Sequence, residues 1–497
     1  MRQGAKFLRA ALGVLLASAA PLAPAPAFAQ AAPAPPWYQT DFPPEEFHAR
    51  WEKVFERIGD KAVAIVAGAP PAGGFLFPRQ TNDFYYLCGV ETPGAYVLLD
   101  GRRRKVTLFL PPRNARLEAA EGRILSADDA ELVEELTGVD AVAPTDAMRG
   151  DWLGAAPANL PESIWTPSAP AEGAAEQRYE LNARNAAIAA DPWDGRIPRE
   201  GRLAELLRAR YARAKIADLT PVLDELRGVK SPRELALIRR ASQIAGRALL
   251  EAMRSTRPGV REYELDAAAR YVFLVNGARL EGYRSITASG TANIWNMHYY
   301  RNAAELKAGD LVLMDYAPDY HSYTSDITRI WPVSGTYDPA QRELLGFVLA
   351  YRNAILSRIR PGVLAKDIQE EAKAAMEPVF ARTRFSKPLY EQAARRLVDT
   401  GGGVFSHPVG LAVHDDGEYA SRPLAPGVVF SVDPQLRVPE ENLYLRYEDV
   451  VTVTATGVEN FTAFLPSELD ALEKAVGGGS AGGIVQKFPA VPGTNTR

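Results

Sequence analysis

From residue 37 to residue 220, short apolar runs alternate with amphipathic stretches and loops. Ser126, with Asp129 three residues later, predicts the start of a helix that ends at Gly138. Residues 155–170 are rich in Pro and Ala and predict a loop. Strands are predicted at residues 61–67, 95–99 and 105–110, the last two as a hairpin. This alternation predicts an α/β domain.

A second predicted domain, residues 221–470, opens with a strong helix-start signal. Ser231 offers a capping hydroxyl, Pro232 suits the first helical position, and Glu234 completes a capping box. Apolar residues then recur three and four positions apart, as on a helix face that packs into a core. These residues are Leu235, Ile238, Ala241, Ala245 and Leu249.

This second domain contains an internal duplication. The sequence Arg-Pro-Gly-Val occurs at residues 257–260 and again at residues 360–363, each time between two helical stretches. A strand pattern then follows in both copies, at residues 306–315 and 424–433: Leu-x-x-Gly, five mostly apolar residues and Asp. The shared order of elements favours two halves related by a pseudo-two-fold axis over chance matches of short motifs.

Acidic side chains lie at equivalent places in the two halves. Asp315 and Asp433 end the repeated strand patterns, and Asp326 and Glu448 belong to the strands that follow. Together with His407 they give four carboxylates and one imidazole. This hard, oxygen-rich set suits Mn²⁺ and tolerates Co²⁺ or Zn²⁺, but it is too poor in thiolate and imidazole for a structural zinc site. We therefore predict a site for two divalent metal ions, of the kind that activates water for hydrolysis.

The first residues have the character of a secretory signal peptide, residues 1–29. Three basic residues precede a short apolar core at residues 10–20, and Ala-Phe-Ala at residues 27–29 is a cleavage site of small residues. We expect an exported protein, periplasmic or secreted, that begins at Gln30; the alternative is an uncleaved N-terminal anchor. The rest of the chain has no apolar run long enough to cross a bilayer, so no membrane partner is expected.

Composition and charge exclude other classes of function. A hydrophobic content of 47% is ordinary for a globular protein and permits a large core. The net charge of −4 comes without a block of like charges, so no nucleic-acid partner is expected. Cys88 is the only cysteine, which excludes an internal disulfide. Its apolar neighbours favour a small buried residue over a nucleophile.

Longer motifs add to this pattern. Residues 79–89 read Arg-Gln-Thr-Asn-Asp-Phe-Tyr-Tyr-Leu-Cys-Gly, and further motifs lie at residues 229–234, 297–299, 315–329, 406–415 and 445–449. These stretches, with the spacing of their acids and histidines, resemble the creatinase/aminopeptidase P superfamily of pita-bread metallopeptidases, and aminopeptidase P in particular. The resemblance implies an N-terminal aminopeptidase P-like α/β domain followed by a pseudo-two-fold pita-bread catalytic domain.

The resemblance also implies roles for the site residues. Asp326 and Glu448 would bridge the two ions, with Asp315 holding one ion and His407 the other. Asp433 would complete the metal set. The catalytic residues would be His298, His414, Glu448 and Arg446. The two histidines would carry protons and donate hydrogen bonds, Arg446 would orient the ligand carboxylates, and Glu448 or the remaining acid would accept a proton from water.

Three positions depart from the family pattern. Asp433 stands where the family has Glu, so its shorter side chain would reach a metal only through a backbone shift or a water. Gly403 stands where the family has His, and Arg437 where it has Tyr. The substrate side of the pocket is therefore changed, and a single-metal variant or pseudoenzyme is the alternative to a two-metal hydrolase.

The leading hypothesis is an exported metallo-aminopeptidase that hydrolyses the first bond of short peptides whose second residue is proline. An Xaa-Pro dipeptidase would use the same metal set. A metal-independent creatinase-like enzyme is disfavoured by the retained carboxylates, and a binding protein with a degenerate site is the non-catalytic alternative. The resemblance also implies a homo-dimer or tetramer, with Tyr85 near a partner's active site. Residues 471–497, Gly/Ser-rich from Gly477, predict a flexible tail.

Overall fold

The computed structural model describes residues 36–71, 76–77, 79–150 and 160–477. The predicted signal peptide and residues 478–497 of the predicted tail lie outside the described residues.

A six-stranded mixed sheet organises the N-terminal domain. Its strands are β1 (Ala62–Ala67), β2 (Tyr96–Asp100), β3 (Lys105–Leu110), β4 (Ala141–Pro144), β5 (Ser163–Thr166) and β6 (Lys215–Asp218). The order across the sheet is β4-β3-β2-β1-β5-β6. β1 pairs antiparallel with β2 and parallel with β5, and the predicted hairpin of β2 and β3 is confirmed.

The N-terminal domain also contains helices. They are α1 (Pro44–Ile58), α2 (Asn82–Cys88), α3 (Ala115–Glu121), α4 (Ala130–Thr137), α5 (Arg178–Ala190), α6 (Arg199–Arg210) and α7 (Thr220–Gly228). The predicted capping box of Ser126 and Asp129 forms, and Gly138 ends α4 in the left-handed conformation with φ +76°. A short 3₁₀ turn, Ala127–Asp129, precedes the α-helix.

The predicted loop at residues 155–170 is wrong in its second part. Ser163–Thr166 form β5, which lies between β1 and β6 and buries Ile164 completely. Prolines at positions 161 and 167 flank this strand without interrupting it. The Pro-rich composition of the whole segment therefore concealed a four-residue internal strand. Residues 155–159 lie outside the described residues.

Cys88 and Tyr85, which both belong to α2, have buried side chains. Cys88 is buried as predicted, its thiol donates to the carbonyl of Phe84, and burial raises its pKa to about 12. A thiol with such a pKa is no nucleophile at neutral pH. Tyr85 is only 2% exposed, packed in the core of its own domain. The expectation that Tyr85 approaches a partner's active site is therefore wrong for this conformation.

The C-terminal domain combines long outer helices with short antiparallel sheets. The helices are α8 (Pro232–Ser255), α9 (Glu262–Val275), α10 (Gly290–Ile294), α11 (Pro339–Leu356), α12 (Ala365–Arg382), α13 (Pro388–Thr400) and α14 (Leu469–Ala475). The strands are β7 (Leu280–Glu281), β8 (Ile286–Ser289), β9 (Leu311–Asp315), β10 (Pro318–Asp319), β11 (Thr328–Pro332), β12 (Val429–Val432), β13 (Gln435–Val438), β14 (Leu443–Arg446), β15 (Asp449–Val453) and β16 (Val458–Asn460). Sheets form in the orders β11-β9-β8 and β12-β15-β16, with pairs β13-β14 and β10-β7.

The duplication is visible in equivalent hydrogen bonds. The amide of Gly259 donates to the carbonyl of Leu306 at 2.9 Å, and the amide of Gly362 donates to that of Leu424 at 2.8 Å. Both glycines are the third residue of an Arg-Pro-Gly-Val turn, with φ of +83° and +79°. The two turns thus hold the start of the two repeated strand segments in the same way.

The chain remains folded beyond the predicted start of the tail at residue 471. Leu469–Ala475 form α14, in which Leu472 is fully buried, and the amide of Gly477 donates to the carbonyl of Met253 at 3.0 Å. The tail boundary at residue 471 is therefore wrong, because an apolar face of this short helix packs on the C-terminal domain. No helix in the described part of the chain combines the length and the apolar character that crossing a bilayer requires.

Candidate metal centre

The four predicted carboxylates lie at equivalent strand ends of the two halves. Asp315 is the last residue of β9 and is paired with Thr328 of β11, which Asp326 precedes by two residues. Asp433 directly follows β12, and Glu448 directly precedes its partner strand β15. Each of the antiparallel strand pairs β9-β11 and β12-β15 thus presents two acids. One lies at the end of the first strand, and the other lies just before the second strand.

Hydrogen bonds across the centre join the two halves. The amide of Glu448 donates to the carbonyl of Thr328 at 3.2 Å, and the Thr328 hydroxyl donates to Oε2 of Glu448 at 2.8 Å. Arg329, which is fully buried, donates to the carbonyl of Glu448 at 2.7 Å and to Oδ1 of Asp449 at 2.8 Å. Glu448 is therefore fixed by the half that supplies Asp326.

Two groups of donor atoms converge on this point. Asp315, Asp326 and Glu448 each offer an oxygen within 4.8 Å of the others, and Asp326, His407 and His414 form a second such group. Asp326 belongs to both. The hydroxyl of Tyr283 lies within hydrogen-bonding distance of both Oδ1 of Asp315, at 2.6 Å, and Oδ1 of Asp326, at 2.9 Å, and its one proton is shared between them. One carboxylate is thus shared between two adjacent donor groups.

The three predicted histidines lie around the second group. Nε2 of His407 is 3.2 Å from Oδ2 of Asp326, and the rings of His407 and His414 have centroids 3.9 Å apart. Burial, reinforced by the other two histidines, lowers the pKa of His414 to about 2, so its imidazole is neutral at pH 7. His298 is exposed, but the surrounding protein and the nearby Arg446 lower its pKa.

Asp433 is held differently from the other carboxylates. Its Oδ2 accepts a hydrogen bond from Nε2 of Gln435 at 2.6 Å and lies 3.4 Å from Nη1 of Arg446. Its Oδ1 is buried and has no hydrogen-bond partner among the described residues. Asp433 belongs to neither of the two donor groups. One of its oxygens is therefore fixed by the protein, and the other is left to a ligand.

Arg446 lies between the carboxylates of the two halves. It forms a close ion pair with Asp315, contacts Asp433, and approaches Oε2 of Glu448 to 4.0 Å. Burial lowers the pKa of Arg446. This single guanidinium faces three buried acids, so it cannot balance their charge.

The excess negative charge fits divalent cations. Burial and the neighbouring Glu448 raise the pKa of Asp326 and of Asp433 well above the usual range. Bound cations reverse this effect, because they favour the ionised carboxylates. The charge excess, the partnerless oxygen of Asp433 and the two adjacent donor groups all fit the predicted pair of metal ions.

Several residues of the centre were not predicted from sequence. Tyr283 and Thr328 donate to the carboxylates, Gln435 holds Asp433, and Tyr179 stacks on His414 with ring centroids 5.5 Å apart. Tyr179 lies in α5 of the N-terminal domain, so both domains contribute to the pocket. Of these residues, only Thr328 could have been expected from the sequence, because it lies in the same motif as Asp326.

Comparison with known proteins decides the family. Residues 236–455 match the model of metallopeptidase family M24, and residues 47–152 match that of the aminopeptidase P N-terminal domain. The Xaa-Pro aminopeptidase of Escherichia coli (strain K12) is 32% identical over 453 residues, which are 86% of this chain and 97% of that relative. The chain belongs to the aminopeptidase P family. The resemblance inferred from the motifs is therefore confirmed.

Solved structures of the aminopeptidase P family agree. Aminopeptidase P from E. coli with the inhibitor Pro-Leu has a TM-score of 0.69 at 28% identity, covering 88% of this chain and 98% of that one. Proline aminopeptidase P II from Yersinia pestis has a TM-score of 0.70 at 30% identity, covering 88% and 99%. The predicted two-domain pita-bread fold and the enzyme class, a hydrolase of the Xaa-Pro aminopeptidase type, are confirmed. Membership of family M24 also implies divalent metal ions.

Proposed function

We propose that this chain is an exported two-metal aminopeptidase that removes the first residue from short peptides with proline in the second position. The observation that carries the proposal is the pair of donor groups sharing Asp326, each with three ligand atoms within 4.8 Å of one another. Two relatives that align with this chain over nearly their whole length are Xaa-Pro aminopeptidases. An imide bond before a proline ring is a poor fit for general aminopeptidases, which leaves a role for a dedicated pocket.

The ions would be held by Asp315, Asp326, His407, Asp433 and Glu448, with Mn²⁺ the best match to four carboxylates and one imidazole, and Co²⁺ or Zn²⁺ as substitutes. Bound there, two divalent ions polarise the substrate carbonyl and lower the pKa of water. Asp326 offers an oxygen to both donor groups, whereas Asp315 and Glu448 belong to one group and His407 belongs to the other.

Protons are handled by residues of this chain. Glu448 is 1% exposed and held on one oxygen by the Thr328 hydroxyl, so its carboxylate is oriented to accept a proton from the attacking water. His414 is neutral at pH 7 and His298 stands at the exposed edge, so both can donate to or accept from the reacting peptide. The leaving imide nitrogen needs such a donor.

The N-terminal domain narrows the pocket. Tyr179 stacks on His414 from α5, so the N-terminal domain borders the pocket on the side of this histidine. A pocket closed on one side by a second domain favours chain ends over internal bonds. We infer exopeptidase action on short peptides from this closure.

A ligand variant tests the proposal. Purified protein loaded with Mn²⁺ should release alanine from Ala-Pro-Ala. Asp326→Asn should lower this rate more than about 100-fold, because mutation of residues that only hydrogen-bond to metal ligands already costs about 10–100-fold in metal affinity or activity. Elemental analysis should find about two ions per chain in the wild type and fewer in the variant. Asp399→Asn, which removes a surface carboxylate paired with Lys373, should change neither. Wild-type protein that binds Mn²⁺ without releasing alanine would contradict the proposal.

Export and assembly belong to the same proposal. Cleavage after Ala29 predicts a mature N-terminus at Gln30, which sequencing of the protein from the periplasm or medium would reveal. A homo-dimer or tetramer is supported by exposed apolar side chains around α5 and α6, including Trp193 at 97% exposure, Ile197 and Leu206. Light scattering of the purified protein would give a mass of two or four chains, and a monomer would contradict it.

A further inference from the structure

Arg437 lies on the strand face that leads away from the metal centre. In β13, Gln435 and Arg437 are half-buried, whereas Leu436 and Val438 are buried in the core. Gln435 pairs across the strands with Arg446, which touches the site carboxylates, and Arg437 pairs with Tyr444. Alternate residues of a strand point to the same face and lie about 7 Å apart. Arg437 therefore lies on the same face as Gln435, about 7 Å further from the metal centre.

The guanidinium of Arg437 packs against aromatic rings, and its charge opposes the rise that burial causes in the pKa of the nearby Asp433, without an ion pair between the two side chains. The guanidinium lies 4.2 Å from the centroid of the Tyr444 ring and 5.5 Å from that of Trp295. Its Nη2 donates to Sδ of Met297 at 3.4 Å, a weak acceptor. Met297 immediately precedes His298, so this charge lies beside the exposed edge of the pocket. No ion pair joins Arg437 to a carboxylate in the part of the chain that the structure describes.

Such an arrangement is suited to an anion that arrives with the substrate. Partial burial removes water from the guanidinium, and the two rings restrict its orientation, so little further ordering is needed on binding. A planar guanidinium matches a carboxylate through two parallel hydrogen bonds. A tyrosine, which the family has at this position, offers no positive charge.

We propose that Arg437 binds a carboxylate of the peptide substrate on the leaving-group side of the scissile bond. Each residue extends a peptide by about 3.5 Å, so the carboxylates within reach belong to the second or third residue. The source is the free C-terminus of a dipeptide or tripeptide, or an acidic side chain in third position. The inference rests on the proposed function and gives it a substrate class: short peptides that carry a negative charge after the proline.

Pairs of peptides that differ only in charge test this inference. The substrates are Ala-Pro and Ala-Pro-Ala as free acids and as C-terminal amides, and Ala-Pro-Glu-amide beside Ala-Pro-Gln-amide. For the wild type we expect kcat/KM about tenfold higher for the charged member of at least one pair, the usual effect of a charged hydrogen bond. The pair with the largest ratio identifies the source of the carboxylate.

Variants then assign the preference to Arg437. In Arg437→Gln the charged and uncharged members should differ by no more than about twofold, while Arg437→Lys should keep part of the preference. Arg395→Gln, a surface arginine of α13 paired with Glu391, should keep all of it. A purely structural role of Arg437 would lower both members of every pair equally. Equal rates in the wild type, or an unchanged ratio in Arg437→Gln, would overturn the inference.

Failure of the proposed function is distinguishable. If the Mn²⁺-loaded wild type cleaves none of these peptides, the peptidase proposal fails, and calorimetric binding of the same pairs still decides the inference. A tighter affinity for the charged members that disappears in Arg437→Gln retains Arg437 as a carboxylate receptor. Equal affinities reject it.

Discussion

At the residue scale, Gly403 and Asp433 form one packing unit. Gly403 has φ +78°, and its carbonyl accepts a hydrogen bond from the amide of Asp433 at 2.9 Å. A Cβ on Gly403 would lie 1.9 Å from the carbonyl oxygen of Asp433 and 2.9 Å from Cγ of Gln435. The histidine that the family has at this position therefore cannot be placed on this backbone. Two of the three departures from the family pattern, Gly403 and Asp433, therefore depend on one another sterically, and Gln435 packs beside them.

Gly403→Ala should destabilise the protein and disturb Asp433. The left-handed conformation alone costs a non-glycine residue of order 1–3 kcal/mol, and the clash with backbone adds to it. We expect Tm to fall by at least about 5 °C, given 2–4 °C per kcal/mol for a domain of this size. Calorimetry would measure the change. The control is Gly402→Ala, whose Cβ would have no neighbour closer than 3.7 Å; equal Tm values for the two variants would contradict the prediction.

The composition of the site could be predicted from sequence, but its supporting hydrogen bonds could not. Asp315, Asp326 and Glu448 are recognisable because few alternatives explain acids at the ends of repeated apolar strands. Tyr283 lies at no repeated position, and a tyrosine before a strand is an ordinary core residue. That it bridges two carboxylates depends on the path of the chain between β7 and β8, which no local pattern specifies.

At the element scale, α8 is the helix that the sequence specifies most completely. The hydroxyl of Ser231 accepts from the amide of Glu234, and Oε2 of Glu234 accepts from the amide of Ser231 at 2.9 Å, as the motif predicts. Glu234 also accepts from the hydroxyl of Tyr323 at 3.0 Å. The cap therefore also fixes the loop that leads to Asp326.

Ser231→Ala should lower stability by about 1 kcal/mol, the usual cost of losing a cap hydroxyl. This corresponds to a fall in Tm of about 2–4 °C. The matched control is Ser386→Ala, an exposed serine whose amide, rather than its side chain, bonds to Glu343. Thermal unfolding followed by circular dichroism would separate the two. A Ser231 variant as stable as the Ser386 variant would show that the capping box contributes nothing measurable.

Short elements escaped prediction for a physical reason. Long helices repeat their apolar stripe over several turns, whereas β5 has four residues and only Ile164 fully buried. The residues that pair with it lie 101 positions earlier in β1 and 52 positions later in β6, so the decisive contacts are absent from the local sequence. The helix α14 was missed similarly, because its buried residues contact a distant part of the chain.

At the scale of the whole molecule, charged groups join the two domains. Arg79 of the N-terminal domain donates to Oδ2 of Asp319 at 3.0 Å, to the carbonyl of Ser322 at 3.1 Å and to that of Leu411 at 3.3 Å. Leu411 lies between His407 and His414 in the chain. The N-terminal domain thus supports the loop that carries both site histidines.

Titration at this boundary predicts a pH dependence of stability. Burial raises the pKa of Glu91 from 4.5 to about 7, against the opposing charges of Arg79 and Arg279 and with the repulsion of Asp319. A hydrogen bond with Asp41 raises the pKa of the nearby His321 above 6.5. Both groups keep their protons in the folded state at a pH where the unfolded chain has lost them. The stabilisation that depends on these two groups therefore falls as pH rises, and for Glu91 the fall lies between its usual pKa of 4.5 and about 7.

Glu91→Gln should make this fall shallower, because the amide has no proton to lose. Tm would be measured at pH 5, 6, 7 and 8 on protein treated with a chelator, so that metal binding does not add its own pH dependence. Glu91 changes the pH dependence of stability only between its pKa in the unfolded chain and its pKa in the folded protein. The slopes of Tm against pH for the variant and the wild type should therefore differ only in that pH range. Parallel curves for the variant and the wild type would contradict the assignment to Glu91.

The joining of the two halves at Glu448 has a consequence for biosynthesis. The donor atoms are spread from Asp315 to Glu448, so the group of Asp315, Asp326 and Glu448 can form only after synthesis has reached residue 448. A truncated molecule that lacks Glu448 would keep the group of Asp326, His407 and His414 but would lose one of the three oxygens of the other group. The complete set of donor atoms is therefore available only late in the synthesis of the chain.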